Sequence, residues 1–158
     1  MEEFKRKPVI AVIGAGRCSR RLQDQAAAVG RYVAEQGGVI VCGGRSGIME
    51  GACRGSAEAG GVSIGILPSD DVTEANPYVT YAIPTGIGEA RNALVVRTAD
   101  AVVAFPGKFG TLSEIAFALK MGKPVVSVGS WKIDEQIVQV DDPVDAARRA
   151  MDLALRSR

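Results

Sequence analysis

The sequence predicts an α/β fold with a doubly wound, mainly parallel sheet and helices on both faces. Short β-branched apolar runs alternate with longer amphipathic stretches from end to end. The runs are apolar at every position, as strands covered on both faces are, where a half-exposed strand would alternate. Three of the turns leading from a run into an amphipathic stretch are rich in glycine. Together these describe a Rossmann-like domain spanning residues 1–158.

In order, residues 9–13 read as a first strand. Residues 20–36 form a helix closed by Gly37-Gly38, and residues 39–42 a second strand. A second helix is expected over 47–59, closed by Gly60-Gly61, and a third strand over 62–67, ended by Pro68. Residues 70–77 make the longest polar loop and a candidate mobile lid. Residues 78–83 read as a fourth strand, 89–98 as a helix, 101–105 as a strand and 111–121 as a helix. Residues 124–128 and 137–140 read as the last strands. Asp142-Pro143 opens the final helix, with Asp as N-cap and Pro at the first helical position.

Composition narrows the function. The chain has 158 residues, of which 47% are hydrophobic and 23% charged, as in an ordinary folded domain. The net charge of +1 provides no basic field for nucleic acid. No apolar run is long enough to span a membrane, and the charged start, residues 1–7, has no signal-peptide core. The three cysteines, Cys18, Cys42 and Cys53, form no C-x-x-C pair and read as free thiols in a reducing, cytoplasmic compartment. The chain contains no histidine. That removes Ser-His-Asp and Cys-His catalysis, the usual zinc sites and the commonest general base.

The glycine-rich turns are Gly14-Ala15-Gly16, Gly43-Gly44-Arg45-Ser46-Gly47 and Pro106-Gly107-Lys108-Phe109-Gly110-Thr111. In a parallel sheet all three fall on the carboxyl edge, where such folds bind ligands. Glycine lets backbone approach an anion, and each following helix presents free N–H groups and a positive dipole end. A sharp strand-to-helix turn needs glycine anyway, but three on one edge point to a phosphorylated small molecule. The dinucleotide fingerprint fails, because Ser19 stands at its third glycine and Val41-Cys42-Gly43-Gly44 lacks the acidic residue after the second strand. No P-loop is present either, since Lys108 precedes its glycine-threonine pair.

The turn Gly43-Gly44-Arg45-Ser46-Gly47-Ile48-Met49-Glu50 resembles the G-G-G-x-x-G-L-M-G turn of the Lonely Guy proteins, once mislabelled lysine decarboxylases. Pro106-Gly107-Lys108-Phe109-Gly110-Thr111-Leu112-Ser113-Glu114 resembles their P-G-G-x-G-T-x-x-E signature. Between them, Gly86-Ile87-Gly88-Glu89-Ala90-Arg91-Asn92 is more similar to a sister branch, the molybdenum-cofactor carrier proteins. The likeness covers residues 8–130. It implies a ligand that is a nucleoside monophosphate or a phosphate-bearing pterin (molybdenum) cofactor, and no cofactor is expected to be required for folding. A homodimer or higher homo-oligomer is expected from the apolar helix faces. Carried over by motif, Gly107, Gly110 and Thr111 bind phosphate; with the glycine-rich turns and their neighbours, the candidate ligand residues are Gly14, Gly16, Gly43, Gly44, Ser46, Gly47, Asn92, Pro106, Gly107, Lys108, Gly110 and Thr111. In the Lonely Guy enzymes the reaction is cleavage of a nucleoside 5′-monophosphate to free base and ribose 5-phosphate. Under that alternative Glu114 is the catalytic carboxylate, stabilising an oxocarbenium-like state, and Arg91 its partner. The chain departs from the enzyme pattern twice: Lys108 replaces the second signature glycine, and Asn92 replaces the lysine of an Arg-Lys pair. Both favour the carrier-like reading.

Structural roles compete for several of these residues. Thr111-Leu112-Ser113-Glu114 is a T-x-x-E capping box, in which Glu114 reaches back to the Thr111 backbone. Ser46 is placed to cap the helix after it. Arg91 alone reads as a solvated or interface arginine, and Lys108 equally as an exposed turn residue. Phe105 and Phe109 read as core, Cys42 and Cys53 as small core residues, and Glu89 and Arg97 as surface or interface charges. The apolar side chains Leu94, Val95, Leu112, Ile115, Ala116 and Leu119 exceed what one sheet contact needs and suggest the dimer face.

Overall fold

The computed structural model describes residues 5–156. Residues 1–4, the start of the charged N-terminus, lie outside the described residues. Strand β1 (Val9–Ile13) is buried at every position and lies in the middle of the sheet. Helix α1 (Arg20–Glu35) follows, then β2 (Val39–Cys42), α2 (Ile48–Glu58) and β3 (Val62–Leu67). A 3₁₀ turn (Val72–Glu74), β4 (Tyr81–Pro84) and a second 3₁₀ turn (Gly88–Ala90) lead into α3 (Arg91–Thr98). The chain ends with β5 (Ala101–Ala104), α4 (Phe109–Lys120), β6 (Val125–Ser127), β7 (Val138–Gln139) and α5 (Pro143–Arg156).

The seven strands run in the order β4-β3-β2-β1-β5-β6-β7, every neighbouring pair parallel. Because successive side chains of a strand point to opposite faces, β1 feeds two cores. Ile10 and Val12 pack with Ala26, Val29 and Val33 of α1, Ala52 of α2 and Ala146, Ala147 and Ala150 of α5. Ala11 and Ile13 pack on the other face with Val95 and Val96 of α3 and Ile115 and Ala118 of α4. Helix α1 buries Ala26, Val29, Gly30 and Val33, the i, i+3, i+4, i+7 stripe of an amphipathic helix. This is the expected Rossmann-like, doubly wound arrangement. Strand order reverses between β1 and β5, so the turns after these strands diverge and leave a crevice at the carboxyl edge.

Several boundaries differ from expectation. The fourth strand starts at Tyr81, three residues later than predicted, because Asn76 Oδ1 accepts the Tyr78 N–H at 3.0 Å and holds that stretch in a turn. The loop over 70–77 is pinned to the second glycine turn. The Asn76 N–H donates to Gly44 O at 2.8 Å and its Nδ2 donates to Arg45 O at 2.9 Å. Ser46 does not cap α2. Its hydroxyl donates to Gly16 O at 2.7 Å and so ties two glycine turns together. Helix α4 begins at Phe109, two residues earlier than expected. Thr111 therefore lies inside the helix, and the capping box does not form. Asp142 caps α5 as predicted, its Oδ2 accepting the Asp145 N–H at 3.2 Å.

Candidate functional site

The glycine turns meet in a cleft of about 530 Å³. From the first turn it takes Gly14, Ala15, Gly16 and Arg17; from the second, Arg45, Ser46 and Met49; from the third, Lys108, Gly110, Thr111 and Glu114. Glu89, Arg91 and Asn92 at the start of α3 complete the wall. Backbone contacts fix how the turns meet. The Ala15 N–H donates to Pro106 O at 2.9 Å, and the Ile48 N–H donates to Ala15 O at 3.0 Å. Gly47 has φ 69°, and a Cβ there would stand 2.2 Å from Ala15 O, so only glycine lets the first and second turns touch. At Gly107 a Cβ would stand 2.0 Å from Thr111 Oγ1, so glycine is what lets α4 begin where it does.

Neither α2 nor α4 has a side-chain cap. In α4 the first-turn N–H groups therefore face the carboxyl edge without being used by the protein's own side chains, and the helix dipole adds positive potential there.

Arg91 is 7% exposed, which is rare for an arginine that forms no ion pair among the described residues. It donates to Asn92 Oδ1 and, at 3.5 Å, to Gly43 O, while its buried Nε has no hydrogen-bond partner among the described residues. Asn92 Nδ2 in turn donates to Ser113 Oγ at 3.2 Å, and Ser113 Oγ donates to Gly110 O at 2.7 Å. Asn92 is thus the link that sets Arg91 relative to the third turn. A buried guanidinium beside a cleft, with no carboxylate paired to it among the described residues, leaves positive potential that an anion in the cleft would offset.

Glu114 is 7% exposed, and its carboxyl makes no hydrogen bond among the described residues. Burial pushes its pKa up to about 8. Nearby Arg91 opposes this, and Glu89 adds to it. The cleft therefore sets four basic side chains, Arg17, Arg45, Arg91 and Lys108, against Glu89 and a Glu114 whose burial favours its uncharged form. Such a balance suits a polyanion.

Of the residues expected at a site, Gly14, Gly16, Ser46, Asn92, Lys108, Gly110, Thr111, Arg91 and Glu114 line the cleft. Gly43, Gly44, Gly47, Pro106 and Gly107 are not part of the lining and shape the turns instead. Arg17, Arg45, Met49 and Glu89 also line it, though the sequence did not single them out as ligand residues. Glu89, expected as a surface or interface charge, belongs to the cleft. The signal for Arg17 and Arg45 was present, since each lies inside or beside a glycine turn. Phe105 is fully buried as expected, but Phe109 is 78% exposed and not core. Cys42 and Cys53 are buried, with their sulfurs 3.5 Å apart.

Residues 7–152 match the model of the SLOG cluster4 family. An uncharacterized protein of Archaeoglobus fulgidus is 38% identical over 137 residues, covering 87% of this chain and 90% of that one. Among solved structures, the molybdenum cofactor binding protein of the phototrophic bacterium Rippkaea orientalis superimposes with a TM-score of 0.88. It is 34% identical, over 95% of this chain and 98% of that one. The molybdenum cofactor carrier protein of Chlamydomonas reinhardtii gives a TM-score of 0.86 at 32% identity, over 95% of this chain and 99% of that one. The chain belongs to the SLOG cluster4 family, on the molybdenum-cofactor-carrier side of the Lonely Guy-like superfamily.

Proposed function

We propose that this protein binds a phosphorylated pterin, the molybdenum cofactor, as cargo, and that it does so as a homodimer in the cytoplasm. The observation that carries the reading is buried Arg91, without an ion pair among the described residues, in a cleft with an excess of basic side chains. The phosphate would lie at the uncapped start of α4, held by the N–H groups of Gly110 and Thr111 and by Lys108, with Arg91 as the second cationic contact. The likeness to carrier proteins supports the pterin as the class of ligand. When bound, the cargo brings a metal-bearing group, and this chain's task is to hold it and keep it from water.

The hydrolase alternative needs a negatively charged carboxylate opposite a developing cation. Glu114, with a pKa near 8, is mostly protonated at pH 7, and a bound phosphate would raise that pKa further. This supports binding over turnover. The test is to titrate the protein with AMP and with a pterin phosphate, following melting temperature and release of adenine. Saturating ligand is expected to raise the melting temperature by about 5 °C or more, with no adenine released. Robust release of adenine that Glu114→Gln abolishes would make the protein a phosphoribohydrolase instead.

A further inference from the structure

Phe109 stands between Lys108 and Gly110, which line the cleft, while its own ring is not among the lining side chains; at 78% it is the most exposed large hydrophobic side chain among the described residues. Its ring stacks on that of Trp131, with centroids 6.4 Å apart and planes inclined by 22°. Trp131 is anchored in turn. Its Nε1–H donates to Gly107 O at 3.1 Å and to Lys108 O at 3.2 Å. The aromatic pair is therefore held against the turn that carries the proposed phosphate contacts, and one ring is left open to solvent. A phenyl group so exposed gains nothing from burial in the free protein. An indole used to brace it gives the ring a fixed orientation, which is what stacking on a flat ligand requires.

Resting on the anion-binding reading of the cleft, we infer that Phe109, braced by Trp131, is a stacking platform for the planar heterocycle of the same phosphorylated ligand. The phosphate is held by backbone and cations at the Lys108–Thr111 turn, and the ring lies across Phe109. Every heteroaromatic base or pterin has a π-face, so the platform selects flat heteroaromatic phosphates over phosphosugars and leaves the choice among heterocycles to the rest of the cleft.

The experiment compares wild type with Phe109→Ala and Phe109→Trp by calorimetry against two probes. GMP carries a guanine whose aminopyrimidinone ring is also the first ring of a pterin, and ribose 5-phosphate carries no heterocycle. Trp131, the only tryptophan in the chain, adds a fluorescence readout. Wild type is expected to bind GMP at least about tenfold more tightly than ribose 5-phosphate. Phe109→Ala should lose most of that factor for GMP while its affinity for ribose 5-phosphate stays within about twofold, and Phe109→Trp should restore GMP binding. GMP should quench Trp131 emission in wild type, and less in Phe109→Ala. Equal GMP affinity in wild type and Phe109→Ala overturns the platform. A parallel loss for both probes also overturns it, by making Phe109 a support of the turn. Dissociation of an oligomer by Phe109→Ala with GMP affinity intact assigns the ring to a contact between copies instead. If wild type binds neither probe, the anion-binding reading fails and the platform falls with it.

Discussion

Glu114 shows how burial alone changes what a residue does. Its unfolded carboxyl titrates near 4.5 and its folded one near 8. Between those values the folded state holds more protons than the unfolded state, so stability falls as pH rises. The contribution of this group is complete below pH 4.5 and is lost as pH rises through about 8. Thermal melts from pH 5 to 8.5 should show wild type losing stability toward the alkaline end. Glu114→Gln, which cannot ionise, should flatten that slope. An unchanged slope in the variant would mean that Glu114 ionises normally. Affinity for a phosphorylated ligand should also weaken above about pH 8 in wild type, because ionised Glu114 adds negative charge to the cleft. Arg91 carries a different prediction. Its planar fork reaches Asn92 and Gly43 at once, and lysine cannot reproduce that geometry. Arg91→Lys should reduce ligand affinity by about tenfold, measured by calorimetry, although the charge is kept.

The glycine turns act as elements, since each decides where a helix starts and how closely its neighbour approaches. Gly47 combines φ 69° with a hypothetical Cβ only 2.2 Å from Ala15 O, so alanine there is strained twice. Gly47→Ala should destabilise the protein by about 2 kcal/mol or more and weaken ligand binding, because the first and second turns must part. Denaturant unfolding with a midpoint equal to that of wild type would show that the turns can separate without cost. The first turn also decides cofactor choice. After Gly16 the chain places Ser19 as the N-cap of α1, its side chain accepting the Leu22 N–H at 3.2 Å, and β2 ends in fully buried Cys42 where a dinucleotide site needs an acid. Neither NAD nor NADP should bind with micromolar affinity in calorimetry.

At the scale of the whole molecule, helices α3 and α4 pack on one face of the sheet and α1, α2 and α5 on the other. Val95 and Ile115, expected to serve a dimer face, are fully buried in the core instead. Besides Phe109, the apolar side chains that remain outward on α3 and α4 are Leu94 at 40% exposure and Phe117 at 39%, with Ala116 also exposed. These side chains support the proposed homodimer. Light scattering at micromolar concentration should give the mass of two chains for wild type. Phe117→Arg should shift it toward one chain without lowering protomer stability by more than about 0.5 kcal/mol, since the residue is not core. A monodisperse wild-type monomer would remove the dimer.

The strands, the helices and the three turns were legible in the sequence because each follows from local chemistry. β-branched runs, the 3.6-residue period and glycine at sharp turns all act over a few residues. Parallel strands then place every strand-to-helix turn on one edge, so the location of the cleft was legible as well. The family likeness lay in the second and third of these turns and in the stretch from Gly86 to Asn92. Only the tertiary structure decided which side chains meet there. Arg91 reaches Gly43 across 48 positions of sequence, and Asn92 reaches Ser113 across 21. Arg17, Arg45 and Glu89 come together from three separate segments. The T-x-x-E pattern was locally sound, yet Trp131 holding the Gly107 and Lys108 carbonyls accompanies a helix that starts at Phe109, and Glu114 is left buried without its cap. Phe109 was expected inside because it is apolar, but its place at the first residue of α4 turns it outward onto Trp131. Local rules determine the elements, whereas burial and the pairing of long side chains depend on what the rest of the chain brings alongside.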